Sequence, residues 1–202
     1  MNVIFLFIVF GAISVLMVSN VFQETDNHII LWFEHIRLPL LNDMMLTVTD
    51  LGMSATLVPI MLIFSVVLLM YRRYHSIILL FFLYISEKTM NHELKGLFGR
   101  ERPAFEHLVN ETYYSFPSGH SMNAATIYPF IAYLLIEMIP WLKERQKKVY
   151  FITALFVIVI GVSRMYIGVH YLTDVAGGFA IGLALFLLFK KIDEKMSVNR
   201  QK

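Results

Sequence analysis

The chain has 202 residues, 57% of them hydrophobic, with a mean hydropathy of +0.64. Ordinary soluble domains are roughly 45–50% apolar, so this composition excludes a typical soluble enzyme and points to a membrane protein. The absence of cysteine excludes disulfides and thiolate metal sites, and a net charge of only +2 excludes a general nucleic-acid surface.

Residues 3–22 are an uncharged apolar run, long enough to cross a bilayer as a helix, which takes about 20 residues. No basic residue precedes Arg37, so the run lacks the positive start of a cleaved signal and reads as a retained helix. Residues 29–51 mix apolar side chains with Glu34, His35, Arg37, Asn42, Asp43 and Asp50, the pattern of an amphipathic segment on the outer interface. Further spans are expected at residues 51–71, 74–94, 118–142, 149–168 and 171–189. The expected fold is all-α: one domain over residues 1–202, a polytopic bundle of six transmembrane helices, with no internal repeat.

Lys and Arg accumulate on the cytoplasmic side of membrane proteins. Arg72 and Arg73 follow the second span, Lys143, Arg145, Lys147 and Lys148 follow the fourth, and Lys190, Lys191, Lys195, Arg200 and Lys202 follow the sixth. These segments share one side, which predicts a multi-pass plasma-membrane protein with both termini cytoplasmic. Counting upward from those basic residues at about 1.5 Å per residue puts Lys95, His120, Arg164, His170 and Asp174 at roughly 24–34 Å. The hydrocarbon core is about 30 Å thick, so these ionisable groups share a layer near its outer boundary. Such residues within membrane helices are costly and mark function by default.

Three segments hold them. Lys95 is followed by six residues and then Arg102-Pro103, Pro117-Ser118-Gly119-His120 forms the second, and Ser163-Arg164 leads through five residues to His170 and three more to Asp174. Lys95, Arg102 and Arg164 supply cations for phosphate oxygens, and Arg grips two oxygens at once. Ser118 and Gly119 open a helix whose free N–H groups form an anion site. His170 and Asp174 stand at i and i+4, so on a helix they share a face and the carboxylate fixes the imidazole tautomer. That makes His170 the nucleophile, leaving His120 to protonate the leaving alkoxide and then activate water. With no carboxylate cluster at metal-ligand spacing, neither metal nor cofactor is expected.

The three segments, in this order and with every position filled, resemble the three-part signature of the type 2 phosphatidic acid phosphatase (PAP2) superfamily. The six-span layout and the segment around residues 38–52 also look like that family's bacterial lipid phosphatases. The resemblance implies a metal-independent phosphatase acting at the outer face through a phosphohistidine intermediate. Its substrate would be a lipid phosphomonoester in the bilayer, such as phosphatidylglycerol phosphate or phosphatidic acid, with undecaprenyl diphosphate as the alternative. No obligate protein partner is expected. A proton-coupled transporter is the alternative outside the enzymes, but it should show inverted repeats or broken helices, and neither is visible.

Blander readings stand beside these. Asp174 could serve only as a salt-bridge partner of Arg164, and Arg100 as a loop charge. His92 reads as a packed polar residue, and Tyr113, Tyr114, Tyr166 and Tyr171 as an interfacial belt. Lys88, Asn91, His92 and Lys95 share one helical face that either lines a headgroup pocket or balances charge beneath it. The rate should fall at low pH as His170 is protonated.

Overall fold

Glycine, proline and polar breaks cut the apolar chain into nine helices, with no strand among the described residues, 2–198, of this computed structural model. In order they are α1 (Val3–Val18), α2 (Gln23–His35), α3 (Pro39–Asp50), α4 (Ser54–Met70), α5 (Tyr74–Phe98), α6 (Gly119–Met138), α7 (Pro140–Glu144), α8 (Gln146–Tyr166) and α9 (Leu172–Val198). Arg200 and Lys202 lie outside the described residues.

Several boundaries differ from the sequence expectation for local reasons. The first apolar run ends as a helix at Val18, and the chain turns through 89° into α2. The expected interfacial segment is two helices, because Pro39 starts α3 with the fixed φ that suits a first helical position. Pro140 likewise ends the fourth run at Met138 and begins the short α7. α5 continues past the expected 94 to Phe98, where Gly99 takes a left-handed conformation (φ 57°) and its N–H caps Lys95 O.

Among the described residues two helices, α8 and α9, are long and apolar enough to cross a membrane, and up to four candidates result if the bent pairs α1–α2 and α3–α4 each count as one. The six expected spans are therefore not all met by length and apolarity. α5 has the length, but its second half carries Glu87, Lys88, Glu93 and Lys95. α6 spends many positions on buried small and polar residues, among them Ser121, Asn123, Ala124, Ala125 and Thr126.

α6 is the centre of the bundle, with α9, α8 and α5 packed around it, and α1 lies along α9. The backbones of α6 and α9 approach closely at two glycines. A Cβ on Gly178 would stand 2.7 Å from Ser118 O, and one on Gly182 would stand 2.7 Å from Met122 O. These glycines are four residues apart on α9, the small-residue spacing that lets membrane helices approach closely. Thr126 Oγ1 exploits the approach by donating to Gly182 O at 3.2 Å across the interface. Phe116 plugs the top of this contact between Phe10 (centroids 5.7 Å) and Phe98 (4.9 Å), which anchors the chain just ahead of Pro117.

At the far end of the bundle, Asp193 of α9 is fully buried. It accepts from Ser76 Oγ of α5 at 2.6 Å and Tyr133 OH of α6 at 3.0 Å, with His75 Nε2 at 3.3 Å. A buried carboxylate is tolerable only when bonded in this way. Outward faces of α1, α4, α5 and α8 remain apolar, with Ile8, Ile63, Ile78 and Phe151 all more than half exposed. Exposure on that scale marks a surface made for lipid or a partner rather than water.

Candidate active site

The three signature segments meet at one end of the bundle, around a cavity of about 350 Å³. Lys95 comes from the last turn of α5, Arg102 from the α5–α6 loop, Gly119 and His120 from the start of α6, Arg164 from the end of α8, and His170 from the α8–α9 turn. That turn is shaped by Gly168 (φ 88°), where a Cβ would stand 2.8 Å from Arg37 Nη2. Arg37, from the α2–α3 junction, donates to Tyr166 O (3.1 Å) and Glu106 O (2.9 Å), tying the turn to the loop.

His170 precedes α9 rather than lying on its face. Asp174 occupies the first turn of α9, accepts Tyr171 N–H at 2.8 Å, and so closes that helix end with its own side chain. The two therefore meet across the helix cap, with His170 Nδ1 3.4 Å from Asp174 Oδ2. Ser115 Oγ donates to Asp174 Oδ2 and stands 3.2 Å from Nδ1. A proton on Nδ1 satisfies this arrangement, with Ser115 accepting it. Nε2 then presents a lone pair to the cavity, where Arg102 Nη1 meets it at 3.3 Å. Asp174 takes its charge partner from Arg100, at 2.6 Å, and not from Arg164.

The cations are held by specific bonds. Arg102 donates to Tyr113 O (2.7 Å) and Val169 O (2.8 Å). Arg164, 2% exposed, donates to Thr49 Oγ1 at 2.8 Å. Lys95 donates to Tyr114 O, in the stretch of loop that leads to Pro117. Glu111 bridges the two arginines, 2.8 Å from Arg164 Nη2 and 3.3 Å from Arg102 Nη2. Two guanidinium groups converging on one anion form an anion cradle, and here a carboxylate fills it. His120 lines the cavity with a buried Nε2 that has no protein hydrogen-bond partner among the described residues.

Of the expected site residues, Lys95, Arg102, Gly119, His120, Arg164 and His170 reach the cavity, with Asp174 behind His170. Ser118 does not line it. Its hydroxyl accepts from Ser121 N (3.5 Å) and Ser121 Oγ (3.0 Å), capping α6, and its N–H donates to Asp174 O. Lys88, Asn91 and His92 do line the cavity; Asn91 Nδ2 holds Pro117 O at 3.2 Å and His92 stacks on Tyr113. Tyr166 and Tyr171 are buried, with Tyr166 OH donating to Asn42, so they are not belt residues. Ser115, Glu111 and Thr49 were not foreseen. Ser115 alone had a signal, standing two residues before Pro117.

Burial, followed by the charges of Arg164, Arg102, Lys95 and Arg100, holds the His170 imidazole well below its ordinary proton affinity. For a base this favours the neutral form, so the loss of rate on acidification belongs below the ordinary imidazole range near 6.5. In ¹⁵N-histidine spectra of the detergent-solubilised protein, His170 should keep a neutral Nδ1–H signature at pH 6, and a midpoint at or above 6.5 would contradict that environment. Glu111 generates a second expectation. Glu111→Gln removes the internal anion, so inorganic phosphate should inhibit more tightly, by about 1 kcal/mol or roughly five-fold in Ki. An unchanged or weaker Ki would mean that the carboxylate does not compete for the cradle.

The PAP2 superfamily model matches residues 76–196. The chain is 41% identical over 197 residues to phosphatidylglycerophosphatase B of Bacillus subtilis (strain 168), covering 98% of this chain and 97% of that one. It superposes on the crystal structure of a transmembrane PAP2-type phosphatidylglycerolphosphate phosphatase from Bacillus subtilis with a TM-score of 0.92, at 40% identity and 96% coverage of both chains. The Aquifex aeolicus LpxE structure matches with a TM-score of 0.66, at 25% identity, over 83% of this chain and 95% of that one.

Proposed function

The chain belongs to the PAP2 superfamily, and we propose that it hydrolyses the terminal phosphomonoester of phosphatidylglycerol phosphate, and of related lipids such as phosphatidic acid, through a phosphohistidine on His170. The observation that carries this reading is the environment of that imidazole. Nδ1 is held by Ser115 and Asp174, while Nε2 opens onto a cavity whose arginines already grip an anion.

In the proposed reaction, substrate phosphate displaces Glu111 and takes Arg102, Arg164 and Lys95 onto its oxygens. Arg102 thereby leaves Nε2 free. Nε2 attacks phosphorus as the bond to the leaving alkoxide breaks, and His120 gives that oxygen its proton. The bound dianion favours the imidazolium that this step needs. Asp174 stabilises the charge arising on His170. Water then attacks the phosphohistidine, His120 takes its proton, and inorganic phosphate leaves. Beyond the covalent step on His170 and the proton that His120 carries, the protein's work is positioning and charge stabilisation, the main needs of phosphoryl transfer.

The proposed setting is a six-span bundle of α1, α4, α5, α6, α8 and α9 with both termini cytoplasmic. Two polar layers support it. From Ser76 to Lys95 on α5, and from Asp174 to Asp193 on α9, the chain advances 19 residues, about 28 Å. The Asp193 cluster and the candidate site thus lie about one hydrocarbon thickness apart. The site then stands at the outer boundary, where a lipid keeps its tails in the bilayer while its phosphate enters the cavity.

The test is phosphate release in detergent with EDTA present, from phosphatidylglycerol phosphate, phosphatidic acid and undecaprenyl diphosphate. Wild type should turn over, fastest on the first. His170→Ala should lose at least about 10³-fold, and His120→Ala about 10²-fold or more. Full activity in His170→Ala would remove the nucleophile assignment, and preference for the diphosphate would move the substrate to the carrier lipid. A reporter fused at each end of the intact chain should respond from the cytoplasm; a response from the outside at either end would break the six-span arrangement.

A further inference from the structure

Arg100 lies outside the motif positions of the signature, yet it is among the most engaged side chains at the site. It is held inside the protein, with 9% of its side chain exposed. Nη1 donates to Asp174 Oδ1 at 2.6 Å and to Thr173 Oγ1 at 2.7 Å. Nη2 donates to Asp26 Oδ2 at 2.8 Å, and the guanidinium carbon Cζ lies over the Tyr171 ring, 4.1 Å from its centroid. Asp26 belongs to α2 and is itself buried. Its other oxygen, Oδ1, accepts Thr173 N–H at 3.1 Å, while Thr173 Oγ1 donates to Oδ2 alongside Arg100.

We infer that Arg100 is a positioning residue for the reaction, which, braced by Asp26, sets the angle at which Asp174 faces His170. This inference rests on the nucleophile assignment above. Each oxygen of Asp174 has a separate task. Oδ2 faces Ser115, Tyr171 N–H and His170 Nδ1, whereas Oδ1 is gripped by Arg100. A carboxylate held on one oxygen cannot rotate its other oxygen away from the imidazole. Two carboxylates share one guanidinium here, and the residual negative charge sits at the N-terminus of the 27-residue α9, where the helix dipole favours it. Asp26 also makes α2 a structural part of the site. The helix turned through 89° from α1 is pinned against α9 by this carboxylate.

Arg100 does not line the cavity that holds the cations for phosphate, so its loss should change turnover and not affinity. The experiment compares wild type, Arg100→Gln, Arg100→Lys, Asp26→Asn and His170→Ala on phosphatidylglycerol phosphate, with ¹⁵N-histidine spectra of each folded protein. A displaced catalytic partner costs up to about 100-fold, and that is the expected fall in kcat for Arg100→Gln, with KM within about two-fold. Arg100→Lys keeps the charge but cannot span both acids, and should recover part of the loss. Asp26→Asn should lower kcat about ten-fold through a loosened brace. In the impaired variants the His170 signals should show a mixture of tautomers.

Wild-type kcat in Arg100→Gln, or a raised KM with kcat unchanged, overturns the inference. So does a variant with lowered stability whose folded fraction keeps wild-type kcat and a single tautomer. If Arg100→Gln does not fold, Asp26→Asn decides, and wild-type kcat there overturns the inference equally. An inactive His170→Ala beside a fully active Arg100→Gln removes only this inference, whereas an active His170→Ala removes the nucleophile reading on which it rests.

Discussion

Asp174 has no exposed surface, and an isolated carboxylate taken out of water costs several kcal/mol. It remains tolerable because every direction around it holds a donor: Arg100, Ser115 and the Tyr171 N–H at the head of α9. The rest of the site follows from that enclosure. Because Asp174 caps α9, its position is fixed by the helix as well as by its side-chain partners. His170, immediately ahead of the cap, inherits the same precision. A carboxylate on an exposed loop would be cheaper to solvate but would leave the imidazole free to turn.

Enclosure needs helices that approach closely, which explains where the glycines fall. Gly178 lets α9 come against Ser118 O, so the helix bearing Asp174 and the helix bearing His120 meet at their N-termini. The Ser118 N–H to Asp174 O bond, at 3.0 Å, ties those two ends directly. Phe116, wedged between Phe10 and Phe98, keeps the intervening loop from lifting. Packing and chemistry are therefore one system, since any side chain on Gly178 would push against the carbonyl of the residue that opens α6.

Much of the candidate site was legible because ionisable residues at membrane depth are costly and stand out in an apolar sequence. Lys95, Arg164, His170 and Asp174 stood out as ionisable groups at one depth, and the motif spacing gathered them into one set that the fold brings together. Arg100 and Glu111 were illegible for the opposite reason. They lie in a loop, where charge is cheap, and only the fold reveals that both are drawn inward. Ser115 and Thr49 are single hydroxyls, with no periodicity to mark them. Helix ends followed local chemistry below the reach of hydropathy, as Pro39 and Pro140 illustrate. Six spans were expected because apolar runs were counted, but α5 and α6 carry the polar residues that build the cavity. Those polar residues keep both helices below the apolarity expected of a membrane span.

Glu111 resolves a difficulty that the cavity creates. Lys88, Lys95, Arg102 and Arg164 line it, and four cations crowded in a partly desolvated space repel one another. An empty cradle of that kind would tend to splay. The Glu111 carboxylate neutralises part of the charge and holds two arginines at a spacing suited to an anion. A phosphomonoester carries about −1.5 to −2 charge at neutral pH, somewhat more than the carboxylate it displaces. Under the proposed reaction, exchange of one anion for the other keeps the arginines paired throughout, and the surplus charge on phosphate favours the exchange. In the proposed reaction the exposed side of Glu111 (31%) gives the displaced carboxylate water to enter, so the residue that assembles the resting site is also the one that would yield it to substrate.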